Sequence, residues 1–243
     1  MHRRRRTRIY VVALAAAIGG LVFAGIFAVT HKATLSVVPP ATSLAAADRN
    51  APAALVHAAA GVGFHPNVLP GIGKIEDKPA ADAKQPSTKD LLAVGTAAPD
   101  FSLLTPQGQK VSLRSYRGKA TLIEFFATWC PHCDVEAPHL RRLYESLPRK
   151  SYGFVSVNVD GEDAPSVFAY HVYFGLPFPS LLDPSSNAGS FDSPGSPGKV
   201  TKSYGIESFP TFYVLNRQGV IVWRSDGEQP DALLRQELER AAE

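Results

Sequence analysis

The sequence predicts an α/β domain built on a central β-sheet of mixed direction, flanked by helices and preceded by a membrane anchor and a linker. Three observations carry that expectation. Ala120–Phe126 is a continuous apolar run holding one acid, the mark of a strand buried on both faces. Segments of strand and helix character alternate after it. The C-terminal stretch then reads as a hairpin followed by an amphipathic helix, which adds antiparallel strands to a parallel core.

In chain order, an N-terminal hairpin is expected from Asp100–Leu104 and Lys110–Leu113, joined by the turn residues Pro106, Gln107 and Gly108. Ala120–Phe126 leads into a helix from Pro131 to about Leu147, with proline in the first turn, where its missing N–H leaves no bond unmade. Tyr152–Val159 alternates as a strand, and Ala164–Phe174 reads as a helix. Pro210–Leu215 and Val220–Arg224 flank the turn Asn216-Arg217-Gln218-Gly219, and Asp231–Ala241 closes the chain as a helix. The folded domain is assigned to residues 93–243, about 150 residues and enough for one core. Within it, 184–199 is turn chemistry with little apolar content, so a mobile surface loop is expected there.

The basic charge is concentrated at the start. Of the 25 basic residues, five are Arg3, Arg4, Arg5, Arg6 and Arg8, and the 20 that remain face 22 acidic ones. The body of the protein is therefore close to neutral, and nothing in it calls for a nucleic-acid partner. Residues 1–8 read as a cytoplasmic N-terminus. Ile9–Val29 carries no charge, and as a helix it would span roughly 30 Å, enough for a bilayer core. Residues 9–30 are thus expected to form a single transmembrane helix in the cytoplasmic membrane, with the domain on the extracytoplasmic, periplasmic side. A cleaved signal peptide is the alternative, against which stand the length of the apolar run and the poor cleavage site at Ala28–Ala33. Residues 31–92 are rich in Ala, Pro and Gly without periodicity, and read as a flexible linker reaching roughly 45 Å. The run Leu44–Ala60 has the composition of a transient helix, to which no function is attached.

The two cysteines both lie in Trp129-Cys130-Pro131-His132-Cys133. A bridge across two residues restrains little of the unfolded chain, so stability is not its purpose. The spacing instead gives a pair that opens and closes with small movement. Cys130 falls between the end of a buried strand and the first turn of a helix, where free N–H groups stabilise a thiolate, the attacking species in disulfide exchange. Cys133, one turn further in, is placed to displace a mixed disulfide. These positions make Cys130 the nucleophile and Cys133 the resolving thiol. His132 beside them is expected to lower the Cys130 pKa further and make the disulfide more oxidising. One Cys-x-x-Cys is half a zinc site, and His132, His139 and His171 would complete it only if folding gathered them. No metal and no cofactor beyond the redox-active Cys130–Cys133 disulfide is expected.

The run Thr121–Cys133 resembles the active-site segment of the thioredoxin superfamily. Val94–Leu103 resembles the N-terminal hairpin of its membrane-anchored TlpA/ResA-like branch, and Val157–Asp160, Leu176–Pro179 and Tyr204–Ile206 continue the match. The resemblance covers roughly Leu92 to Glu243 and implies a thioredoxin-like fold. It also gives three residues a meaning. Pro210 matches the family's cis-proline opposite the active site, which would leave the backbone of Phe209 free to pair with a bound peptide. Glu124, a lone charge in a buried strand, matches the acid that takes a proton from Cys133. Trp129 would pack beside the disulfide and shape the docking surface.

What the resemblance implies for function is thiol–disulfide exchange on exported proteins, with reduction of a cysteine pair such as an apocytochrome c haem-attachment motif as the leading expectation. A membrane electron donor is then required. The Pro131-His132 dipeptide is the one found in DsbA-type oxidants, and a thiol oxidase with a membrane electron acceptor is the alternative. A peroxidase reading meets Trp129 and a Cys-x-x-Cys where a threonine and a lone cysteine belong. A non-catalytic metal or haem-pathway chaperone completes the set.

Overall fold

The computed structural model describes residues 50–67 and 91–243, apart from 191 and 194. The basic N-terminus 1–8 and the span expected at 9–30 lie outside these residues. Among the described residues no helix is long and apolar enough to cross a membrane.

Seven strands among the described residues form one sheet in the order β2-β1-β5-β4-β3-β6-β7. They are β1 (Ser102–Leu104), β2 (Lys110–Ser112), β3 (Ala120–Phe126), β4 (Tyr152–Asn158), β5 (Ser180–Leu182), β6 (Thr211–Leu215) and β7 (Ile221–Asp226). The helices are α1 (Ala53–Val62), α2 (Pro131–Ser146), α3 (Ala164–Phe174), α4 (Lys199–Ser203) and α5 (Asp231–Ala241). β3 runs parallel to β4 from Ala120 opposite Tyr152 to Phe126 opposite Asn158, and antiparallel to β6 on its other side. β5 lies parallel to β4, while β1 and β7 add antiparallel edges. This is the expected mixed sheet of a thioredoxin-like α/β fold.

Every residue of β3 is buried, which is why its sequence shows no alternation. Each of its large apolar side chains contributes about 1.5–3 kcal/mol by leaving water. α3 starts at an Asp163 side chain that accepts the Ser166 N–H at 2.8 Å, and ends at Gly175 in the left-handed conformation with φ 60°. At the domain's N-terminal edge, Arg224 donates to the Leu91 and Leu92 carbonyls, and the Leu92 N–H donates to Tyr213 Oη at 3.0 Å.

Two expectations need correction. The stretch 31–92 is not flexible linker throughout, because residues 53–62 form α1 and pack on α3. Leu55 and Ala59 are buried there, and Phe64 inserts its ring among Tyr170, Tyr173 and Phe174 at centroid distances of 5.1, 5.0 and 5.5 Å. Nor does the loop 184–199 stand free. The Gly189 N–H donates to the Asp160 carbonyl at 3.2 Å, and the Gly195 N–H to Asp160 Oδ2 at 3.4 Å. A Cβ on Gly189 would lie 1.9 Å from Asp160 Oδ2, so glycine is what lets the loop close. Beyond it, Asp183 receives the Val200 and Thr201 N–H groups at the start of α4. β5 and α4, at three and five residues, are too short to have shown a period.

Candidate active site

β3 delivers the chain to the site. After Phe126, a short loop is held by Glu162, whose carboxylate accepts the Thr128 N–H at 2.8 Å, the Thr128 hydroxyl and Asn158 Nδ2. Cys130 is then the N-cap of α2, with Pro131 in the first turn, as the sequence predicts. The Cys133 and Asp134 N–H groups both donate to the Cys130 carbonyl at 3.1 Å, closing the first turn around the motif.

The two thiols are driven apart in acidity. Cys130, 4% exposed, is lowered chiefly because Cys133 donates a hydrogen bond to it. Burial opposes this, the backbone N–H groups of Cys133 and His132 assist, and the Asp134 charge opposes. Cys133 has no exposed surface, and burial pushes it well above its ordinary value, with Cys130 and Glu124 adding to the effect. The geometry therefore favours one thiolate stabilised by one thiol. The pair titrates as a unit.

Glu124 lies beneath the pair on β3, 4% exposed. It faces Ser156 across the β3–β4 ladder and accepts that hydroxyl, while its second oxygen has no partner. Burial raises it to about 7, against the Ser156 hydrogen bond. The surface glutamate it would have been on a half-exposed strand is thereby ruled out. On the other side of Cys130, the Phe209–Pro210 peptide is cis, and Cys130 Sγ is 3.6 Å from the Phe209 carbonyl oxygen. The Trp129 ring meets Phe209 edge-on at 5.6 Å. Trp129, Cys130, Phe209 and Pro210 are thus brought together as expected.

His132 behaves differently from the expectation. Its half-exposed ring engages Glu228, Nδ1 to Oε1 at 2.5 Å, and what it offers Cys130 is its backbone N–H. His139 pairs with Asp231 at 2.8 Å and His171 with Ser180 at 3.1 Å. Among the described residues no cluster of three or more metal-ligating side chains forms.

Three acids at the site escaped the sequence reading. Glu136 on α2 is fully buried, accepts the Gln229 N–H at 3.2 Å and keeps one oxygen unpartnered. Burial holds it well above the carboxylate range, with the Glu124 charge adding to it. Its signal was available: it sits three residues after Cys133 on the face that carries Ala137 and Leu140. Asp134 is 7% exposed and raised by burial to about 7. Asp160, behind Trp129, is raised by burial against a hydrogen bond from the Gly195 N–H.

A strand-to-helix dithiol split in acidity, above a buried acid and facing a cis-proline, belongs to the thioredoxin-like redox proteins. Comparison with known proteins agrees. The AhpC/TSA family profile matches residues 94–224, more than half of the chain, and the chain belongs to that family. It is 30% identical over 151 residues to the thiol-disulfide oxidoreductase ResA of Geobacillus thermodenitrificans, covering 62% of this chain and 79% of the relative. With the ResA of Bacillus cereus it shares 25% over 154 residues, covering 63% and 82%. A thiol:disulfide interchange protein DsbE from Chlorobium tepidum superposes with a TM-score of 0.54 at 23% identity, over 63% of this chain and 99% of that one, and shows the same fold. The protein is a TlpA/ResA-like thiol–disulfide oxidoreductase.

Proposed function

We propose that the domain is an extracytoplasmic reductant, tethered to the cytoplasmic membrane by residues 9–30, that opens disulfides in exported proteins. A cysteine pair in apocytochrome c is the substrate class that the resemblance to the TlpA/ResA-like branch implies. Cys130 thiolate attacks one sulfur of the substrate disulfide, forming a mixed disulfide and releasing the other sulfur as a thiolate. Cys133 gives its proton to the Glu124 carboxylate and attacks Cys130 Sγ. The second substrate sulfur leaves, and the Cys130–Cys133 disulfide remains. Two electrons have passed to the substrate, and a membrane dithiol donor returns them. Phe209 and Pro210, with Trp129, border the sulfur that meets the substrate and form the surface on which its backbone lies.

The observation that favours this direction is the scaffold. Between β4 and β5 the described chain holds the single helix α3, where DsbA-type oxidants insert a helical domain. The oxidant reading draws on Pro131-His132, yet the histidine ring is engaged with Glu228.

The reduction potential of the purified protein tests the direction. A value near ~−270 mV or below supports a reductant, and one approaching ~−120 mV makes the protein an oxidant needing an electron acceptor. Failure to form the Cys130–Cys133 disulfide under oxidising glutathione removes both.

A further inference from the structure

The segment 53–67 lies outside the part of the chain that the family profile matches, which begins at residue 94. It nevertheless touches the redox motif on both sides of the nucleophile. Asn67 Nδ2 donates to the Trp129 carbonyl at 3.0 Å, the peptide oxygen immediately before Cys130. The Asn67 backbone N–H donates to Asp134 Oδ2 at 2.6 Å, in the first turn after the motif. A third link runs through the segment's anchor. Phe64 packs edge-on against Tyr170, whose hydroxyl donates to the Cys133 carbonyl at 3.0 Å. α1, packed on α3, holds all of this in place.

We propose that Asn67 is a positioning residue of the redox site, and that the docked segment 53–67 sets the reactivity of Cys130 by bridging the Trp129 carbonyl and covering the Asp134 carboxyl. The inference rests on the reading of Cys130 as the nucleophile. Its physical basis is the contrast between a covered and an uncovered Asp134. Under the segment, Asp134 is buried and held near neutrality's edge, at about 7. Uncovered, it meets water and ionises in the ordinary carboxylate range, and a full negative charge then stands against the Cys130 thiolate. A seated segment thus keeps Cys130 more acidic and its disulfide easier to reduce. An unseated one does the opposite. Asn67 also fixes the peptide that carries Cys130, so the thiolate stays aligned with the N–H groups of α2.

The test uses the full chain and four variants: Asn67→Ala, Phe64→Ala, Asp134→Asn and the double variant Phe64→Ala/Asp134→Asn. Two quantities are read, the Cys130 ionisation curve from thiolate ultraviolet absorbance and the equilibrium constant of the disulfide with glutathione. Phe64→Ala touches no group of the redox motif and is expected to move the ionisation to higher pH. It should make the disulfide at least threefold harder to reduce, about 14 mV for a two-electron couple. Asn67→Ala moves both quantities the same way, and its small change at the end of the segment protects folding. In the Asp134→Asn background, Phe64→Ala should lose its effect on ionisation, since no carboxylate is left to uncover. If Phe64→Ala and Asn67→Ala lower the denaturation midpoint but leave both quantities at the parent values, the segment is only a structural prop and the inference is overturned. A parent protein that forms no Cys130–Cys133 disulfide overturns the exchange reading and this one together. A parent that cycles normally, with variants that match it, overturns this one alone.

Discussion

Glu124 illustrates how one buried side chain serves chemistry at a cost to stability. Raised to about 7, it is near half-ionised at neutral pH and able both to take and to return a proton. Glu124→Gln should therefore slow the attack of Cys133 on the mixed disulfide by about tenfold to a hundredfold. The pH dependence of that step near 7 should disappear, with mixed-disulfide lifetime as the readout. His132 makes the contrasting case. Because its ring faces Glu228 and only its backbone N–H serves Cys130, His132→Ala should move the reduction potential by less than about 30 mV. The cysteines and Glu124 stood out because each breaks a local rule in sequence, a lone close pair and a charge in an apolar strand, whereas Pro210 took its meaning from the family resemblance. Asp134 and Asn67 break none. Their meaning comes from a contact 67 residues apart in the chain, which no periodicity encodes.

Among the elements, legibility followed length and burial. β3, α3 and α5 run over seven to eleven residues with clear apolar character, and α3 and α5 occupy the residues the sequence assigned them. β5 was hidden because three residues after Pro179 carry no pattern. α1 was legible as composition but not as structure, since alanine supports a helix anywhere and its docking depends on Leu55, Ala59 and the Phe64 that follows it. The loop 184–199 failed for a different reason: its glycines read as freedom, whereas they permit close approach. Gly189→Ala should push the loop off Asp160, lowering the unfolding free energy by about 1–3 kcal/mol in a denaturant titration. It should also speed proteolytic nicking between 184 and 199.

For the molecule as a whole, the buried acids act together on stability. Glu124, Asp134, Glu136, Asp160 and Glu162 are all raised above their ordinary values, each with burial as the leading cause. A group raised on folding contributes stability that is present in full below its unfolded pKa and is lost as pH rises through its folded one. For Glu124 and Asp134 that window runs from about 4 to about 7. The domain should consequently unfold at lower denaturant concentration at pH 8 than at pH 5. Glu124→Gln should remove a share of that slope on the order of 3 kcal/mol.

The docking of α1 also makes the folded body discontinuous in sequence. Residues 53–67 are held by the burial of Leu55, Ala59 and Phe64, and the chain is fastened again at Leu91 and Leu92. A single cut between these two attachments should therefore leave both fragments on one body, a two-chain complex that survives native separation and that denaturant divides.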